Sequence, residues 1–200
     1  MSRGQIISDI LKPLASCSEQ CYVGAGLHTL GLLGWILEQT GRADIYVSTF
    51  STSEAFLNGI INLHKKDLIK FSQLVVDVKA SRKTVHLYNL MKSAFSSVRL
   101  TLNHSKILLV ETTDLKVTVI TSQNQTYGDR AECTLVSTSK ELFNSVMSGF
   151  IHLTSAETSV LLDTIRNDKG TEIYTKSGRD SRGDGKEPHP DIGDWQPIGI

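Results

Sequence analysis

The sequence has few cysteines, no net charge and no long apolar run, and each shortage excludes a class of protein. Only three of the 200 residues are cysteines, Cys17, Cys21 and Cys133, and no C-x-x-C pair is present, so a zinc-ribbon type of domain is excluded. Basic and acidic side chains balance at 21 each, so the total charge indicates no polyanionic partner. The most apolar window, residues 23–37, contains four glycines and a histidine. It is shorter than the roughly 20 residues that cross a bilayer, so we predict a buried helix there.

The first residues lack the features of a secretion signal. Residues 1–5 show no basic stretch that leads into an apolar run and a small-residue cleavage site. We therefore expect a cytoplasmic protein with reduced thiols and no stable membrane association.

The chain does contain enough apolar sequence for one substantial core. Apolar residues make up 40% and charged residues 21% of a 22.0 kDa chain, which is typical of a globular domain. Hydrophobic spacing and capping residues predict a β-α-β-α-β order, followed by a hairpin, a further strand and a closing helix. We therefore predict an α/β fold in which a mixed β-sheet is flanked by helices.

The individual elements follow from the same patterns. Helices are predicted for a short amphipathic start that ends near Pro13 and for residues 27–39, 51–63, 82–95 and 139–153. Ser51 is the predicted cap of the third of these helices, and Glu54 completes a capping box. Strands are predicted at residues 44–50, 71–78, 98–102, 104–111, 116–122 and 133–137. Because only four residues join the strands 104–111 and 116–122, these two strands form a hairpin.

The composition changes near residue 167, after which Gly, Asp, Ser and Pro replace the periodic apolar pattern. The predicted organisation is an N-terminal helical segment packed on the body (1–41), a central domain (42–155), and a C-terminal helix with a flexible arm (156–200).

Positive charge is concentrated in one part of the chain although the total is zero. Residues 65–106 carry nine basic and two acidic side chains, whereas residues 151–200 carry six basic and nine acidic ones. A single lysine is most simply a solvated helix residue, but a clustered basic surface attracts polyanions and contacts phosphates. We therefore predict nucleic-acid binding by five residues of this segment: Lys79, Arg82, Lys83, Lys92 and Arg99.

His104 and Lys106 form an H-x-K motif at the start of a predicted strand. Side chains two residues apart leave the same face of a strand, so the imidazole and the ammonium are expected to point into one site. A second H-x-K, which begins at His64, lies in a predicted helix, where a two-residue step separates the side chains. We interpret that second copy as solvated surface.

The first motif and its sequel resemble the signature of the phospholipase D superfamily. That signature is H-x-K, four residues, an aspartate, and a Gly-Ser-x-Asn-like segment at the end of the next strand, often followed by an acid. Glu111 stands in place of the aspartate, Thr121 in place of the glycine, and the hairpin is a few residues longer than usual. The resemblance spans approximately residues 44–153, and its matching positions are His104, Lys106, Ser122, Asn124 and Glu132.

The resemblance implies phosphodiester chemistry without a metal or other cofactor in the central domain. His104 would attack phosphorus and form a phosphohistidine, and Lys106 and Asn124 would hold the phosphate oxygens. Ser122 would hydrogen-bond in the same pocket, and Glu132 would orient an imidazole. An imidazole suits both nucleophilic and proton-donating roles because its unperturbed pKa is about 6.5.

The mechanism needs two imidazoles in one pocket, and the chain offers one complete motif. A homodimer through the active-site face would supply His104 from each subunit. The other candidates lie in predicted helices without an accompanying Lys or Asn, so we interpret them as core or surface residues: His28, His86 and His152.

The fold alone does not choose among the activities of this superfamily. Three features favour a metal-independent nuclease that cleaves DNA or RNA. They are the basic segment, the small size of a chain with a single complete motif, and the lack of a membrane-binding amphipathic helix. The alternatives are a catalytically silent nucleic-acid-binding or scaffold protein of the same fold and, third, a phospholipase-type hydrolase.

Overall fold

Helices and strands alternate along the chain in the predicted order. The computed structural model describes residues 3–81, 87–126 and 130–162. The helices are α1 (Arg3–Ile10), α2 (Thr29–Thr40), α3 (Glu54–Lys65), α4 (Val78–Ser81), α5 (Tyr88–Ala94) and α6 (Lys140–Ser155). The strands are β1 (Glu19–Gly24), β2 (Ala43–Thr49), β3 (Ile69–Asp77), β4 (Ser97–Thr101), β5 (Ile107–Glu111), β6 (Lys116–Thr121), β7 (Glu132–Ser137) and β8 (Val160–Leu161).

The strands form one mixed sheet in the order β1-β7-β6-β5-β2-β3-β4-β8. β2, β3 and β4 are parallel, and helices connect them as expected for parallel neighbours. The remaining pairs are antiparallel, including the β5–β6 hairpin in which Glu111 pairs with Lys116. The predicted fold class, a mixed sheet flanked by helices, is confirmed.

Two apolar layers cover opposite faces of this sheet. Because successive side chains of a strand alternate between its faces, Leu108 packs into the larger core with α1, α2, α3 and α5. Leu109 points the other way and packs with Phe143 and Phe150 of α6. Helices α2 and α3 therefore cover the face of the sheet to which the even-numbered residues of β5 point.

α2 and α3 pack closely because α3 carries a glycine at their contact. A Cβ built on Gly59 would lie 2.2 Å from Cδ2 of Leu30, so only glycine fits there without a shift. α2 ends at Gly41, whose φ of 75° lies in the left-handed region that favours glycine. Both helices start at the edge of the sheet where β2 ends.

The start of α3 differs from the sequence prediction. Ser53, not Ser51, is the cap: its backbone is extended and its Oγ accepts the N–H of Phe56 at 3.3 Å. Ser51 instead offers its carbonyl oxygen to the N–H of Gln125 at 3.1 Å. The pattern S-T-S-E contains two possible caps, and the tertiary contact of Ser51 decides between them.

Ser53→Ala is expected to lower the free energy of unfolding by about 1 kcal/mol, because Phe56 N–H loses its acceptor. Urea unfolding followed by circular dichroism measures the change. Ser51→Ala leaves that bond intact and is the control. Equal losses for both variants would contradict the assignment of Ser53 as the cap.

Two segments depart from the predicted elements. The N-terminal segment is not only helical, since β1 pairs with β7 over six residues. Its sequence, EQCYVG, contains little of the β-branched pattern that marks a strand. In the predicted C-terminal helix, residues 156–162 form a turn and the short strand β8.

Other predicted features fall wholly or partly outside the described residues. The predicted helix 82–95 is observed only as α5, with residues 82–86 not described. Contacts divide the chain into residues 1–167 and 168–200, and the second unit, which includes most of the predicted arm, is not described. Within the three described ranges, no helix is both long enough and apolar enough to traverse a bilayer.

Candidate active site

Polar residues from five strands meet at one edge of the sheet, which we call the site edge. The parallel strands β2, β3 and β4 all end there, as in other open α/β sheets that bind ligands at the carboxyl ends of their strands. β6 also ends there, and β5 begins there. The residues brought together at the site edge include Ser48, Asp77, Thr101, Lys106 and Thr121.

His104 and Lys106 lie side by side, just before β5 rather than within it. Lys106 Nζ lies 3.2 Å from His104 Nδ1 and donates a hydrogen bond to the carbonyl oxygen of His104 at 2.8 Å. The imidazole is exposed, and its centre lies 5.1 Å from that of the Phe50 ring. The H-x-K motif thus presents an imidazole and an ammonium together at the surface.

The surroundings of Lys106 affect its charge. Partial burial lowers the pKa of Lys106 below its usual range, and the negative charge of Glu132 opposes that shift. Glu132 is therefore within electrostatic range of the H-x-K motif, although it comes from β7.

Ser122 links β6 to Glu132. Its Oγ donates to Glu132 Oε2 and accepts the N–H of Cys133 at 3.0 Å. In the other direction, Ser122 N–H donates to the carbonyl oxygen of Cys133 at 3.0 Å. Since Thr121 N–H donates to the carbonyl oxygen of Lys106 at 3.1 Å, the Ser122–Glu132 pair is held next to the H-x-K motif.

Asn124 forms no hydrogen bond with these four residues in the described parts of the chain. Its Oδ1 is buried without a hydrogen-bond partner, and the residue lines a cavity between the starts of α2 and α3. Four of the five predicted site residues are thus held together, and the fifth borders a neighbouring cavity.

Two of the three departures from the signature, Thr121 and Glu111, fit the structure without strain. Thr121 Oγ1 bonds Thr134 Oγ1 at 3.0 Å and accepts Gln123 N–H at 3.1 Å. Among the described non-glycine residues only Asp67 has a positive φ, so Thr121 needs no conformation reserved for glycine. Glu111 lies at the far end of β5, where it forms an ion pair of 3.0 Å with Lys116.

Asn103 forms a buried hydrogen-bond network directly before His104, which the sequence analysis missed. The side chain is 6% exposed, and its Nδ2 donates to Ser48 Oγ at 2.8 Å and to the carbonyl oxygen of Thr49 at 3.2 Å. Its Oδ1 accepts the N–H of Ser105 at 2.9 Å and the Oγ of Ser105 at 2.7 Å. Its own N–H donates to Asp77 Oδ2 at 2.8 Å. This network fixes the backbone on both sides of His104.

A sequence signal for this network does exist. Ser48 and Asp77 are polar residues at the carboxyl ends of two predicted parallel strands, and such ends meet at one edge of a sheet. Asn103 follows the third predicted parallel strand. This signal is the position of each residue in the sheet topology, whereas the signal of the H-x-K motif is the spacing of residues along the chain.

The three predicted nucleic-acid-binding residues that the structure describes do not share one face. Lys79 is exposed at the site edge, where its N–H donates to Asp77 Oδ1 at 2.7 Å. Lys92 lies on α5. Val98 and Leu100, the neighbours of Arg99 on β4, point into the larger core on the α5 side of the sheet, so Arg99 points to the other face. Arg82 and Lys83 lie outside the described residues.

The other histidines have separate surroundings. His64 is not merely solvated surface, because its Nε2 bonds the buried Ser72 Oγ at 2.9 Å and partial burial lowers its pKa. His28 immediately precedes α2, with its Nδ1 3.4 Å from Gln123 Nε2. His152 is exposed on α6, and His86 is not described. In the described parts of the chain, no three or more His, Cys, Asp or Glu side chains are grouped to hold a metal ion.

Comparisons with known proteins bear on the fold. No family model matches the chain, and no curated protein matches its sequence. The fold is similar to that of NucT from Helicobacter pylori, with a TM-score of 0.54 and 14% identity over 72% of this chain and 98% of that one. It is also similar to phosphatidylserine synthase from Haemophilus influenzae, with a TM-score of 0.51 and 13% identity over 72% of this chain and 39% of that one.

A third similar structure is polyphosphate kinase from Porphyromonas gingivalis, with a TM-score of 0.50 and 10% identity. The match covers 78% of this chain but only 25% of the kinase. These likenesses define a phospholipase D-like fold.

Proposed function

We propose that the protein is a metal-independent nuclease that cleaves DNA or RNA at the site edge. The observation that carries this proposal is the exposed His104–Lys106 pair held beside Ser122 and Glu132. NucT is a nuclease of the phospholipase D family, and the match covers 98% of its solved chain, which further supports a nuclease over the larger neighbours.

The proposed chemistry needs only side chains of this chain. An unprotonated His104 nitrogen attacks phosphorus, the bond to the leaving oxygen breaks, and a protonated imidazole gives that oxygen its proton. Water then attacks phosphorus and gives a proton to the second imidazole, and the P–N bond breaks, which releases His104 and the phosphate product. The Lys106 ammonium stabilises the negative charge on the nonbridging oxygens, and Glu132 favours the charged form of a nearby cation.

The second imidazole is proposed to come from a second copy of the chain. Because His104 is exposed at the site edge, a twofold axis beside it would bring two copies of His104 to one phosphate. Asn124 would join the phosphate ligands when substrate occupies the space between it and Lys106.

Cleavage should continue in excess EDTA, since no step uses a metal ion. Purified protein is incubated with plasmid DNA and with single-stranded DNA and RNA, and products are followed on gels. Loss of cleavage in EDTA, restored by a divalent cation, would contradict the mechanism. Absence of cleavage with turnover of phosphatidylcholine vesicles would indicate the phospholipase-type alternative.

The rate should fall at alkaline pH as Lys106 loses its proton. Burial lowers the pKa of Lys106, so the charged form that binds phosphate is lost at a lower pH than for an exposed lysine. Lys106→Arg keeps its charge to higher pH and should remove this alkaline decline, at a reduced rate because the group differs in shape. A pH profile of kcat/KM that declines equally in both proteins would contradict the role of Lys106.

A second candidate is a nucleic-acid-binding or scaffold protein without catalysis. The lack of a described hydrogen bond between Asn124 and the H-x-K motif favours it, because one proposed phosphate ligand is not linked to the others. This alternative predicts binding that weakens steeply with salt and does not depend on His104.

A further inference from the structure

A cavity of about 60 Å³ opens between the starts of α2 and α3. The loop that follows β6 forms its third wall, and this loop includes Asn124, the proposed phosphate ligand. The cavity therefore adjoins the place where the scissile phosphate would bind. Its lining residues are His28, Thr29, Leu30, Ser53, Phe56 and residues 123–126, together with Ala55.

Gln125 in this wall is buried without side-chain hydrogen bonds. Only 3% of the residue is exposed, and neither Oε1 nor Nε2 has a hydrogen-bond partner among the described residues. The backbone is well held, since Gln125 N–H donates to the Ser51 carbonyl oxygen at 3.1 Å and contacts Thr49 Oγ1 at 3.3 Å. A buried polar atom without a partner destabilises a protein, and such atoms are rare in native structures.

Further unpaired polar atoms surround Gln125. Among the described residues, Asn124 Oδ1 also has no hydrogen-bond partner, so three such atoms belong to two residues that line this cavity. A fourth, the Oγ1 of Thr52, lies behind the wall, where Thr52 pairs with Gln125 in a parallel bridge. Their number and position indicate a ligand group that carries both donors and acceptors.

The lining indicates the chemical class of that group. None of the described residues that line this cavity is a Lys, Arg, Asp or Glu, so this lining does not suit a second phosphate or a charged lipid headgroup. A glutamine amide presents a donor and an acceptor side by side, which is the pattern that pairs with the edge of a nucleobase. The ring of Phe56 and the side chain of Leu30 provide an apolar wall for a flat ring.

We infer that this cavity receives the nucleobase next to the scissile phosphate and that Gln125 distinguishes between bases. The inference rests on the proposed function, because it assigns the cavity to the same substrate. His28 and Gln123 both line the cavity and contact each other, and this pair would close the pocket around the base.

The first test measures stability and does not depend on catalysis. Gln125→Leu removes two unpaired polar atoms from the free protein, so its Tm should rise by about 2–4 °C. The matched control is Gln39→Leu, because Gln39 accepts the N–H of Leu14 at 2.8 Å and donates to the Trp35 carbonyl oxygen at 3.0 Å. Its Tm should fall. A fall for Gln125→Leu as well would show that Gln125 is paired in the free protein and would overturn the inference.

The second test measures base discrimination. His104→Ala protein, which should not cleave, is titrated with short single-stranded DNA and RNA oligonucleotides of one base each and with an abasic oligonucleotide. Affinities should differ between bases by roughly 5- to 150-fold, and adding Gln125→Leu should bring them to within about twofold.

The outcomes separate the two proposals. Equal affinity for all bases and for the abasic oligonucleotide, in a protein whose wild type cleaves nucleic acid, overturns the cavity assignment and leaves the nuclease proposal intact. No oligonucleotide binding and no cleavage by the wild type overturns both.

Discussion

His104→Ala should cleave nucleic acid at least about 10³-fold more slowly than the wild type while binding it with nearly unchanged affinity. In the proposed mechanism the imidazole supplies both the nucleophile and, from the second subunit, the proton donor, so its removal leaves no group able to take either role. The side chain is exposed and touches mainly Phe50 and Lys106, so the fold should tolerate alanine. Initial rates on a fluorescent oligonucleotide, with binding measured by anisotropy, give both quantities.

The matched control is His152→Ala, which removes an exposed histidine on α6 and should leave both quantities unchanged. Cleavage by His104→Ala at the wild-type rate would contradict the assignment of the nucleophile. Wild type that binds but never cleaves would instead favour the catalytically silent alternative.

The same variant tests the proposed dimer. Wild-type and His104→Ala chains are mixed in equal amounts, unfolded and refolded together. If each phosphate needs two copies of His104, only wild-type pairs are active, and about one quarter of the full activity remains under random pairing. Retention of about half would mean that each subunit acts alone.

The order of elements could be predicted from the sequence because apolar spacing and caps are local. The parallel strands alternate with helices whose apolar residues recur at helical spacing, and the hairpin has a link too short for a helix. β1 was missed because an edge strand with one pairing partner carries little β-branched sequence.

The site was predicted only as far as local spacing reaches. His104 and Lys106 are two residues apart, so their contact follows from the chain itself. Ser122 and Glu132 meet across neighbouring strands, and only the resemblance predicted them as site residues. The Asn103 network joins residues 55 and 26 positions apart along the chain, which no local pattern records. The lack of a partner for the Gln125 amide could not be predicted, because it depends on how α2 and α3 pack around this residue.

Asn103→Ala should lower kcat about 10²-fold and the free energy of unfolding by about 2–3 kcal/mol. Removing the amide leaves the N–H of Ser105 and the carbonyl oxygen of Thr49 without their partner at a buried position. The backbone on both sides of His104 then loses its fixed position, and a displacement of about 1 Å at a reacting group is enough for a loss of this size. KM should change less than kcat, because Asn103 itself contacts no substrate.

A loss of stability alone would not explain that result, and Leu57→Ala provides the comparison. Leu57 is fully buried in the larger core on α3, so its truncation should cost about 2–5 kcal/mol through the cavity it leaves. Assayed at a temperature where both variants remain folded, Leu57→Ala should keep its kcat while Asn103→Ala does not. If kcat falls equally in the two variants, Asn103 acts only through the stability of the fold. If it falls only in Asn103→Ala, the buried amide positions His104 for its attack on phosphorus.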